Sequence, residues 1–460
     1  MRVKIFTVIV LLLMPMISRA QEEEFEQFVD NILHEIQNTD STFHRNFHLF
    51  RDSIAKEFSN FRDSVNREFA KFLEQSWETF PIIPPTTPVC YNQVLPSRNP
   101  TISKIYSPEA DEKNFFGIET NICLPENIPT GTTEISEKAI GQIWLALGNS
   151  DFSTCLAECL LLSSHLNLNT WGYYQLICHI TRQQPVSPDI RIIMQCFLMN
   201  HRGYKCRMGI INDRELVLLL PFNTKVYSFY HVLINDIPYY IPEKKEFAVN
   251  KLKTYSREIK FATQTPDLFL HTPLKLGQNK FSRKEFIFNK EKIILPVNEH
   301  LIDFYATYPA CDLCVYASAP IDTALLAPLR EVLCKDSSGY TNTCEILRFM
   351  HTCFKHQPDS IVWGRERYFF AEESLYYPYM DCEDSAILFR HLVNHLTGQE
   401  AILVFYPEHV AAAVDLPCRG MEKYVTHHDK KYIICDPSYI GAQPGEQIPR
   451  MEETRELFCY

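Results

Sequence analysis

The chain has 460 residues, of which 46% are hydrophobic and 22% are charged, and its formal net charge is −11 at pH 7. This length and apolar content are enough for two globular domains besides an N-terminal segment. The acidic balance argues against a protein whose partner is nucleic acid or an anionic lipid surface.

Residues 1–20 have the composition of a secretory signal peptide. Arg2 and Lys4 give a basic start, an apolar run follows, and Ser18-Arg19-Ala20 forms the exit. The run is too short for a stable membrane span. We therefore expect an exported protein, periplasmic, cell-envelope associated or secreted, with no transmembrane segment after signal removal. Export of this kind suits a bacterial envelope protein.

Residues 21–80 are predicted to form an amphipathic helical segment with an 11-residue repeat. Phe50-Arg51-Asp52-Ser53-Ile54 returns as Phe61-Arg62-Asp63-Ser64-Val65, within a stripe of large apolar residues from Phe43 to Phe72. Eleven residues over three turns keep this stripe on one helix face. The stripe needs a partner. It docks on the chain's own domains or on a helix from Phe25 to Ile36, or it binds a second copy or another envelope protein as a coiled coil.

The rest of the chain is predicted to contain a linker and two α/β units. Residues 81–110 are rich in proline, which is typical of a stiff, extended spacer. Residues 111–242 form the first α/β domain. Residues 243–297 are a lysine-rich connecting segment that pairs with either sheet. Residues 298–460 form the second unit, with outer helices in its first part.

Three motifs near the C-terminus carry the candidate chemistry. Cys382 begins an apolar-striped helix that ends at Thr397-Gly398, His409 begins a buried strand, and Asp436 follows another apolar run. A thiol that attacks an amide, an imidazole that moves its proton and a carboxylate that orients the imidazole are the groups that acyl transfer needs. These residues predict a nucleophile, a general base and an orienting acid.

The surroundings of Cys382 have opposite effects on the stability of its thiolate form. The first turn of a helix favours a thiolate, whereas the neighbouring charges of Asp381, Glu383 and Asp384 oppose one. The cysteine therefore needs a cation nearby, and His409 is the candidate. With that partner, we expect Cys382 to be alkylated faster than the other cysteines.

The stretch from about Asn342 to Pro449 resembles the core of the transglutaminase-like cysteine protein family, which has a papain-like fold. The matching motifs are Asp381-Cys382-Glu383-Asp384-Ser385-Ala386, His409-Val410-Ala411 and Asp436-Pro437-Ser438-Tyr439, in the family's order. The resemblance implies a thioester at Cys382, formed from a peptide or protein amide. Water resolves it in a peptidase or amidase, and an amine resolves it in acyl transfer. Many relatives have an aromatic residue at the position of Ala411, so the resemblance does not predict the shape of the substrate groove.

The resemblance also implies an oxyanion site. In this family the site usually consists of the backbone amide of the nucleophile and one upstream side-chain donor. Trp363, the nearest upstream tryptophan, is the candidate because an indole N–H donates without accepting. A tryptophan packed in the core is the competing interpretation.

Residues 111–242 look like a weak second copy of the C-terminal unit. Leu198-Met199-Asn200-His201 parallels Leu392-Val393-Asn394-His395, Glu215–Pro221 parallels the His409 strand, and Asn235–Tyr239 parallels the Asp436 turn. This copy lacks a cysteine near Ser187 and has Glu215 or Leu216 in place of the histidine, so we expect it to be inert. The alternative is chance similarity between the two segments. Different strand orders in the two units would rule out a duplication.

The sixteen cysteines favour disulfides or buried thiols over metal. The densest group extends from Cys311 to Cys353 and its spacing is too loose for a strong zinc prediction, so a zinc-stabilised module is only a third hypothesis. We predict no metal and no cofactor.

The predicted fold class is α+β, with a papain-like, transglutaminase-like C-terminal domain, a degenerate copy before it and a long N-terminal helix. The predicted function is that of an exported thiol hydrolase or acyltransferase acting on a peptide or protein. The alternative is a non-catalytic envelope scaffold or binding protein that retains the fold.

Overall fold

The computed structural model describes residues 60–86, 114–129, 135–242, 251–448 and a strand at 456–458. The predicted signal peptide, the phenylalanine stripe before residue 60, residues 87–110 of the predicted linker and the first three residues of the predicted first domain lie outside the described residues. The described residues combine helices with largely antiparallel sheets, which confirms the α+β class. No helix in these segments has the length and hydropathy needed to cross a membrane.

The first unit consists of helices on one large sheet. Its helices are α1 (residues 60–73), α2 (Glu137–Gly148), α3 (Ser153–His165), α4 (Thr170–Arg182) and α5 (Pro188–His201). Its strands are β1 (Glu78–Pro81), β2 (Asn114–Phe115), β3 (Ile118–Glu119), β4 (Arg207–Ile211), β5 (Glu215–Pro221), β6 (His231–Ile234), β7 (Ile237–Tyr240) and β8 (Lys251–Thr254).

The large sheet of the first unit has the order β1-β8-β4-β5-β7-β6, and its neighbouring strands are antiparallel. Helix α5 packs across β4 and β5. Ser187 caps α5 by accepting a hydrogen bond from the Ile190 amide, and Pro188 occupies the first helical position, where a missing N–H costs nothing. The helix therefore begins at Pro188.

The second unit begins with a hairpin and continues with helices around a second sheet. Its first elements are β9 (Phe281–Phe288), β10 (Glu291–Asn298), α6 (Glu299–Tyr305), α7 (Leu313–Ser318), α8 (Thr323–Leu333), α9 (Gly339–Cys353), β11 (Lys355–His356), α10 (Asp359–Val362), α11 (Ala371–Tyr376) and β12 (Tyr379–Met380). The last elements are α12 (Cys382–Thr397), β13 (Ala401–Tyr406), β14 (His409–Val414), β15 (Tyr424–His427), β16 (Lys430–Cys435) and β17 (Glu456–Phe458).

The second sheet has the order β15-β16-β14-β13-β17, again with antiparallel neighbours. Helix α12 packs on β13 and β14, and α9 packs on α12. Gly398 ends α12 in the left-handed conformation, with φ of 71°, which a residue without a side chain adopts readily. The predicted stop at Thr397-Gly398 is therefore confirmed.

The two sheets share one strand order. After α5 the chain forms β4, β5, β6 and β7, and after α12 it forms β13, β14, β15 and β16. In each series the first strand pairs with the second, the second with the fourth and the fourth with the third. A later strand, β8 or β17, adds outside the first. The two units therefore have the same strand order, as the duplication hypothesis requires.

One segment of the proposed internal match is wrong. The turn at Asn235-Asp236 joins β6 to β7, so its counterpart is the His428-Asp429 turn between β15 and β16. All four turn residues have positive φ, between 46° and 61°, as a tight hairpin turn with right-handed twist demands. Asp436 instead follows the end of β16.

The N-terminal helix ends earlier than the sequence predicts. Helix α1 stops at residue 73, and Glu78–Pro81 pair with β8 as an edge strand. Beyond β1, the chain pairs with β6 at the other end of the sheet, because Ile82 is buried and the Ile83 amide donates to the carbonyl of His231. An edge strand tolerates Pro81, since one side of its backbone needs no partner. The start of the predicted spacer is therefore part of the first sheet.

The described part of the phenylalanine stripe docks on the first unit. Val65 and Phe69 are buried, and the Phe69 ring lies 5.1 Å from that of Trp144 and 5.7 Å from that of Tyr255. Phe61 remains 52% exposed. Within residues 60–73, the partner of the stripe is therefore the chain's own globular part.

The predicted connecting segment divides between the units. Strand β8 joins the first sheet, whereas the β9–β10 hairpin packs on α8 and α9 of the second unit. One hydrophobic cluster extends through both units and contains Trp144, Tyr305, Phe370, Cys382 and Val410. The two units therefore share an interior around the candidate nucleophile.

Candidate active site

Cys382 occupies the first position of α12 and is 4% exposed. Its Sγ donates a hydrogen bond to Oε2 of Glu383 over 3.0 Å. The backbone N–H of Val410, at the start of β14, points at the same sulfur and favours its anionic form. The packing of α12 on β14 thus brings the thiol to the residue that follows His409.

His409 and Asp436 are joined directly. The Nε2 atom of His409 lies 2.7 Å from Oδ2 of Asp436, and both side chains are buried. The other carboxylate oxygen, Oδ1, accepts hydrogen bonds from the amides of Ser438 and Tyr439 and from the Ser438 hydroxyl. These donors fix the carboxylate, which in turn fixes the orientation of the imidazole ring.

The sheet explains why His409 and Asp436 meet. Strand β14 pairs with β16, with Ala412 opposite Cys435, so the start of β14 and the residue after β16 lie at one end of the sheet. Since Nε2 of His409 faces the carboxylate, Nδ1 is the ring nitrogen that remains for a second partner. The structure therefore joins His409 to Asp436, and the packing of α12 against β14 brings Cys382 to the backbone of Val410. Among the described hydrogen bonds, none joins Sγ of Cys382 to the His409 ring.

The thiol is neutral at rest. Burial raises the pKa of Cys382 well above its ordinary value, and the charge of Asp381 adds to the rise, while the Val410 amide opposes it. For Asp436, burial alone would raise the pKa, but the hydrogen bond and charge of His409 and the hydrogen bonds from Ser438 together outweigh it, and the pKa is lowered. The site thus pairs a protonated thiol with an ionised carboxylate.

Buried carboxyl groups crowd the start of α12. Asp359, Asp381, Glu383 and Asp384 are each at most 5% exposed. Burial raises the pKa of Asp381 to about 7. Burial, followed by the charge of Asp381, raises the pKa of the other three. The acidic residues that the sequence places beside Cys382 are therefore inside the protein and not on a solvated helix face.

Trp363, the oxyanion candidate, lies in an aromatic cluster. Its ring packs against Phe369 and Tyr377, and the guanidinium of Arg367 sits 4.3 Å from its centre. Its Nε1 has no hydrogen-bond partner. These contacts fit the competing interpretation of a core tryptophan and do not join Trp363 to Cys382.

Two further histidines support the site and were not predicted to do so. His351 donates from Nε2 to the backbone carbonyl of Asp436 over 3.1 Å, and its Nδ1 accepts from the Gly441 amide. His356 faces the Ser385 hydroxyl at 3.2 Å, and burial followed by the nearby His351 lowers its pKa to about 4. No spacing in the sequence links these residues to the nucleophile.

The cysteines from Cys311 to Cys353 are free thiols. Cys311 is fully buried, and burial raises its pKa well above its ordinary value. In the described part of the chain, the only three or more potential metal ligands that converge are the carboxylates of Asp359, Glu366 and Asp381. The described geometry thus gives a zinc module at Cys311 to Cys353 no support.

Comparisons of this chain with protein-family models, with curated proteins and with solved structures found no match.

Proposed function

We propose that the protein is a cysteine-dependent hydrolase or acyltransferase of the transglutaminase-like type, with a papain-like C-terminal domain. The observation that carries this proposal is the 2.7 Å contact between His409 and Asp436, together with the Val410 amide, next to His409, that is directed at the Cys382 thiol. A purely structural role would not require an oriented imidazole next to a buried cysteine. The signal-like start of the sequence supports an exported enzyme.

The proposed reaction starts from a neutral thiol. His409 takes the proton through Nδ1 as Sγ attacks the carbonyl carbon of a peptide or protein amide, and Asp436 stabilises the imidazolium that forms. The tetrahedral intermediate collapses when the C–N bond breaks and His409 returns the proton to the leaving amine. Water or a second amine then attacks the thioester, with His409 again as the base, and releases Cys382.

Substrate entry requires movement. Cys382 is 4% exposed and His409 is 6% exposed, so a carbonyl carbon cannot reach Sγ in the resting arrangement. The aromatic residues that share the hydrophobic cluster with Cys382, among them Phe370, would have to shift. The enzyme we propose therefore opens when its substrate binds.

The test measures whether His409 activates Cys382 and needs no substrate. In a protein in which Cys123→Ser and Cys418→Ser remove the two exposed thiols among the described residues, peptide mass spectrometry gives the rate of Cys382 alkylation by iodoacetamide. We expect His409→Gln to slow it at least about tenfold, since a positioned base contributes factors of about 10²–10⁴. His427→Gln, on β15, is the matched histidine control. Equal rates in the His409→Gln and control proteins would refute the proposal.

A second experiment measures turnover. Purified protein is incubated with a peptide library with and without an added primary amine, and the products are identified by mass spectrometry. Cleaved or deamidated peptides indicate transfer to water, and amine-modified peptides indicate acyl transfer. Cys382→Ala should abolish either product, and retained turnover in that variant would contradict the assignment.

The burial of the site favours one alternative function, that of a non-catalytic scaffold or binding protein. A neutral thiol that is 4% exposed suits a packed core as well as a resting enzyme. In that case Cys382→Ala should leave partner binding intact, and replacing His409 should leave the reactivity of Cys382 unchanged. The alkylation experiment therefore separates the two functions.

A further inference from the structure

We propose that a cavity beside α11 binds an organic ammonium compound, that is, a small amine with an apolar body. The cavity has a volume of about 320 Å³ and lies between the segment that leads into β9, the strand β10 and the helices α6, α8 and α11. Ligand pockets start at about 300 Å³, so this volume suits a small ligand. Cys382, His409 and Asp436 do not line the cavity, and the site is therefore separate from the proposed thiol chemistry.

The walls of the cavity are mainly apolar. Leu276, Leu301 and Tyr305 line its inner part and are buried, whereas Phe281 and Ala324 line its mouth and are exposed to solvent. Burial of an apolar surface against such walls is the main favourable contribution to the binding of a small ligand. The cavity therefore offers an apolar body a buried inner end that can be entered from solvent.

One carboxyl group is held in a fixed position in this apolar wall. Glu372, on α11, is 2% exposed, and its Oε1 accepts a hydrogen bond from the Asp322 amide over 2.6 Å. The Tyr305 hydroxyl also hydrogen-bonds to this carboxyl, and the Tyr305 ring stacks on Phe370 with ring centres 4.0 Å apart. An apolar pocket with a few fixed polar groups is the usual form of a small-molecule site, in which those groups orient the ligand.

The charge of the lining selects a cationic ligand. Glu372 and Asp322 are the ionisable acids of the lining, and none of the described lining residues is a lysine, an arginine or a histidine. In the part of the chain that the structure describes, neither acid forms an ion pair. A buried carboxylate without a counterion is costly, and an ammonium group that enters the cavity removes that cost. An anionic ligand would instead be repelled.

The apolar walls favour an organic cation over a metal ion. A hard cation such as Ca²⁺ takes about six to eight oxygen ligands, which walls of leucine, proline and aromatic side chains do not offer. The convergent group of possible metal ligands in the described ranges contains neither Glu372 nor Asp322. The rings of Tyr305 and Phe281 can instead attract an ammonium group through their faces. The site is a binding site, so its test measures binding and not turnover.

The experiment titrates full-length protein with phenethylamine by isothermal calorimetry at pH 8, where Glu372 is ionised because burial raises its pKa only to about 7. We expect one saturable site with a Kd of about 1 mM or tighter, as a ligand of this size reaches in a pocket. Phenethyl alcohol has the same apolar body without the charge and should bind at least about tenfold more weakly. Phenylacetate, an anion, should not bind. Equal Kd values for the amine and the alcohol would contradict a cation site.

Substitutions locate the binding. Glu372→Gln keeps an acceptor oxygen and removes the charge, so it should weaken phenethylamine binding at least about tenfold and leave the binding of the alcohol unchanged. Ala324→Trp fills the mouth of the cavity and should abolish binding. Glu331→Gln and Ala327→Trp, at exposed positions of α8 outside the cavity, are the matched controls. Far-ultraviolet circular dichroism checks that each variant is folded. Absence of saturable phenethylamine binding up to about 10 mM, or an unchanged Kd in Glu372→Gln or Ala324→Trp, would overturn the proposal.

Discussion

The His409 ring and the Asp436 carboxylate lie 2.7 Å apart, and the carboxylate keeps its charge although it is 1% exposed. Burial raises the pKa of Asp436, but His409 and the hydrogen bonds from Ser438 together lower it further, and the pKa is below its ordinary value. The pair therefore persists at neutral pH as an oriented, charged hydrogen bond.

Asp436→Asn should lower the turnover and the alkylation rate of Cys382 by about a hundredfold or more. The amide keeps the shape of the side chain but removes the charge that stabilises the imidazolium and fixes its tautomer. Initial rates with the wild type, Asp436→Asn and the exposed-turn control Asp429→Asn measure the effect. A rate for Asp436→Asn within a factor of two of the control would contradict this role for the carboxylate.

Cys382 should react slowly with iodoacetamide at pH 7 in the resting wild-type protein. The sequence alone predicts the fastest reaction at this cysteine, but its burial and raised pKa reverse that order. The exposed Cys123 and Cys418 should be labelled first. A time course of peptide mass spectrometry gives the order, and labelling of Cys382 ahead of Cys418 would show that the thiol is more open or more acidic than described.

Glu372 should make the protein less stable as the pH rises. Burial raises its pKa to about 7, and its Oε1 accepts a hydrogen bond from the Asp322 amide over 2.6 Å. The unfolded chain releases this proton near pH 4.5, so unfolding becomes easier between pH 4.5 and 7, by up to about 3 kcal/mol at about 1.4 kcal/mol per pKa unit.

Glu372→Gln should remove most of this dependence, because the amide keeps the acceptor and carries no charge. Urea unfolding at pH 5 and pH 8 should show a larger loss of free energy of unfolding in the wild type than in the variant. Glu291→Gln, on an exposed strand, is the control. Identical losses in all three proteins would mean that Glu372 does not titrate in this range.

Phe69→Ala should destabilise the protein by about 3–5 kcal/mol, the usual cost of truncating a buried phenylalanine. Phe69 packs between Trp144 and Tyr255, whereas Phe61 on the same helix is 52% exposed. Phe61→Ala should change the free energy of unfolding by less than about 0.5 kcal/mol. Denaturant unfolding of both variants makes the comparison. Equal effects would indicate that α1 does not dock on the first unit.

The three candidate catalytic residues could be predicted because each begins or follows an element with a clear apolar pattern. Cys382 opens α12, His409 opens β14, and Asp436 follows β16, and the hydrophobic runs mark all three boundaries. The internal match was visible for the same reason at the end of α5 and at β5, whereas the match at the Asn235-Asp236 turn was wrong. The local hydrophobic pattern was sufficient to predict a candidate residue where that residue lies at the end of a helix or strand.

Other features depend on pairing that no local pattern records. Glu78–Pro81 fit the end of a helix by their spacing, but their partner strand, Lys251–Thr254, lies far along the chain and draws them into the sheet. The convergence of Asp359, Glu366 and Asp381 depends on a loop whose path the sequence does not indicate. Contacts of this kind are fixed by tertiary packing, which overrides intrinsic propensity.

The hydrophobic interior that extends from Trp144 to Cys382 and Val410 makes each unit depend on the other for its folded state. A truncated product that begins after the first sheet would expose the apolar residues around Cys382 to water. We therefore expect it to aggregate when expressed alone. The first unit would then be needed to keep Cys382 away from water.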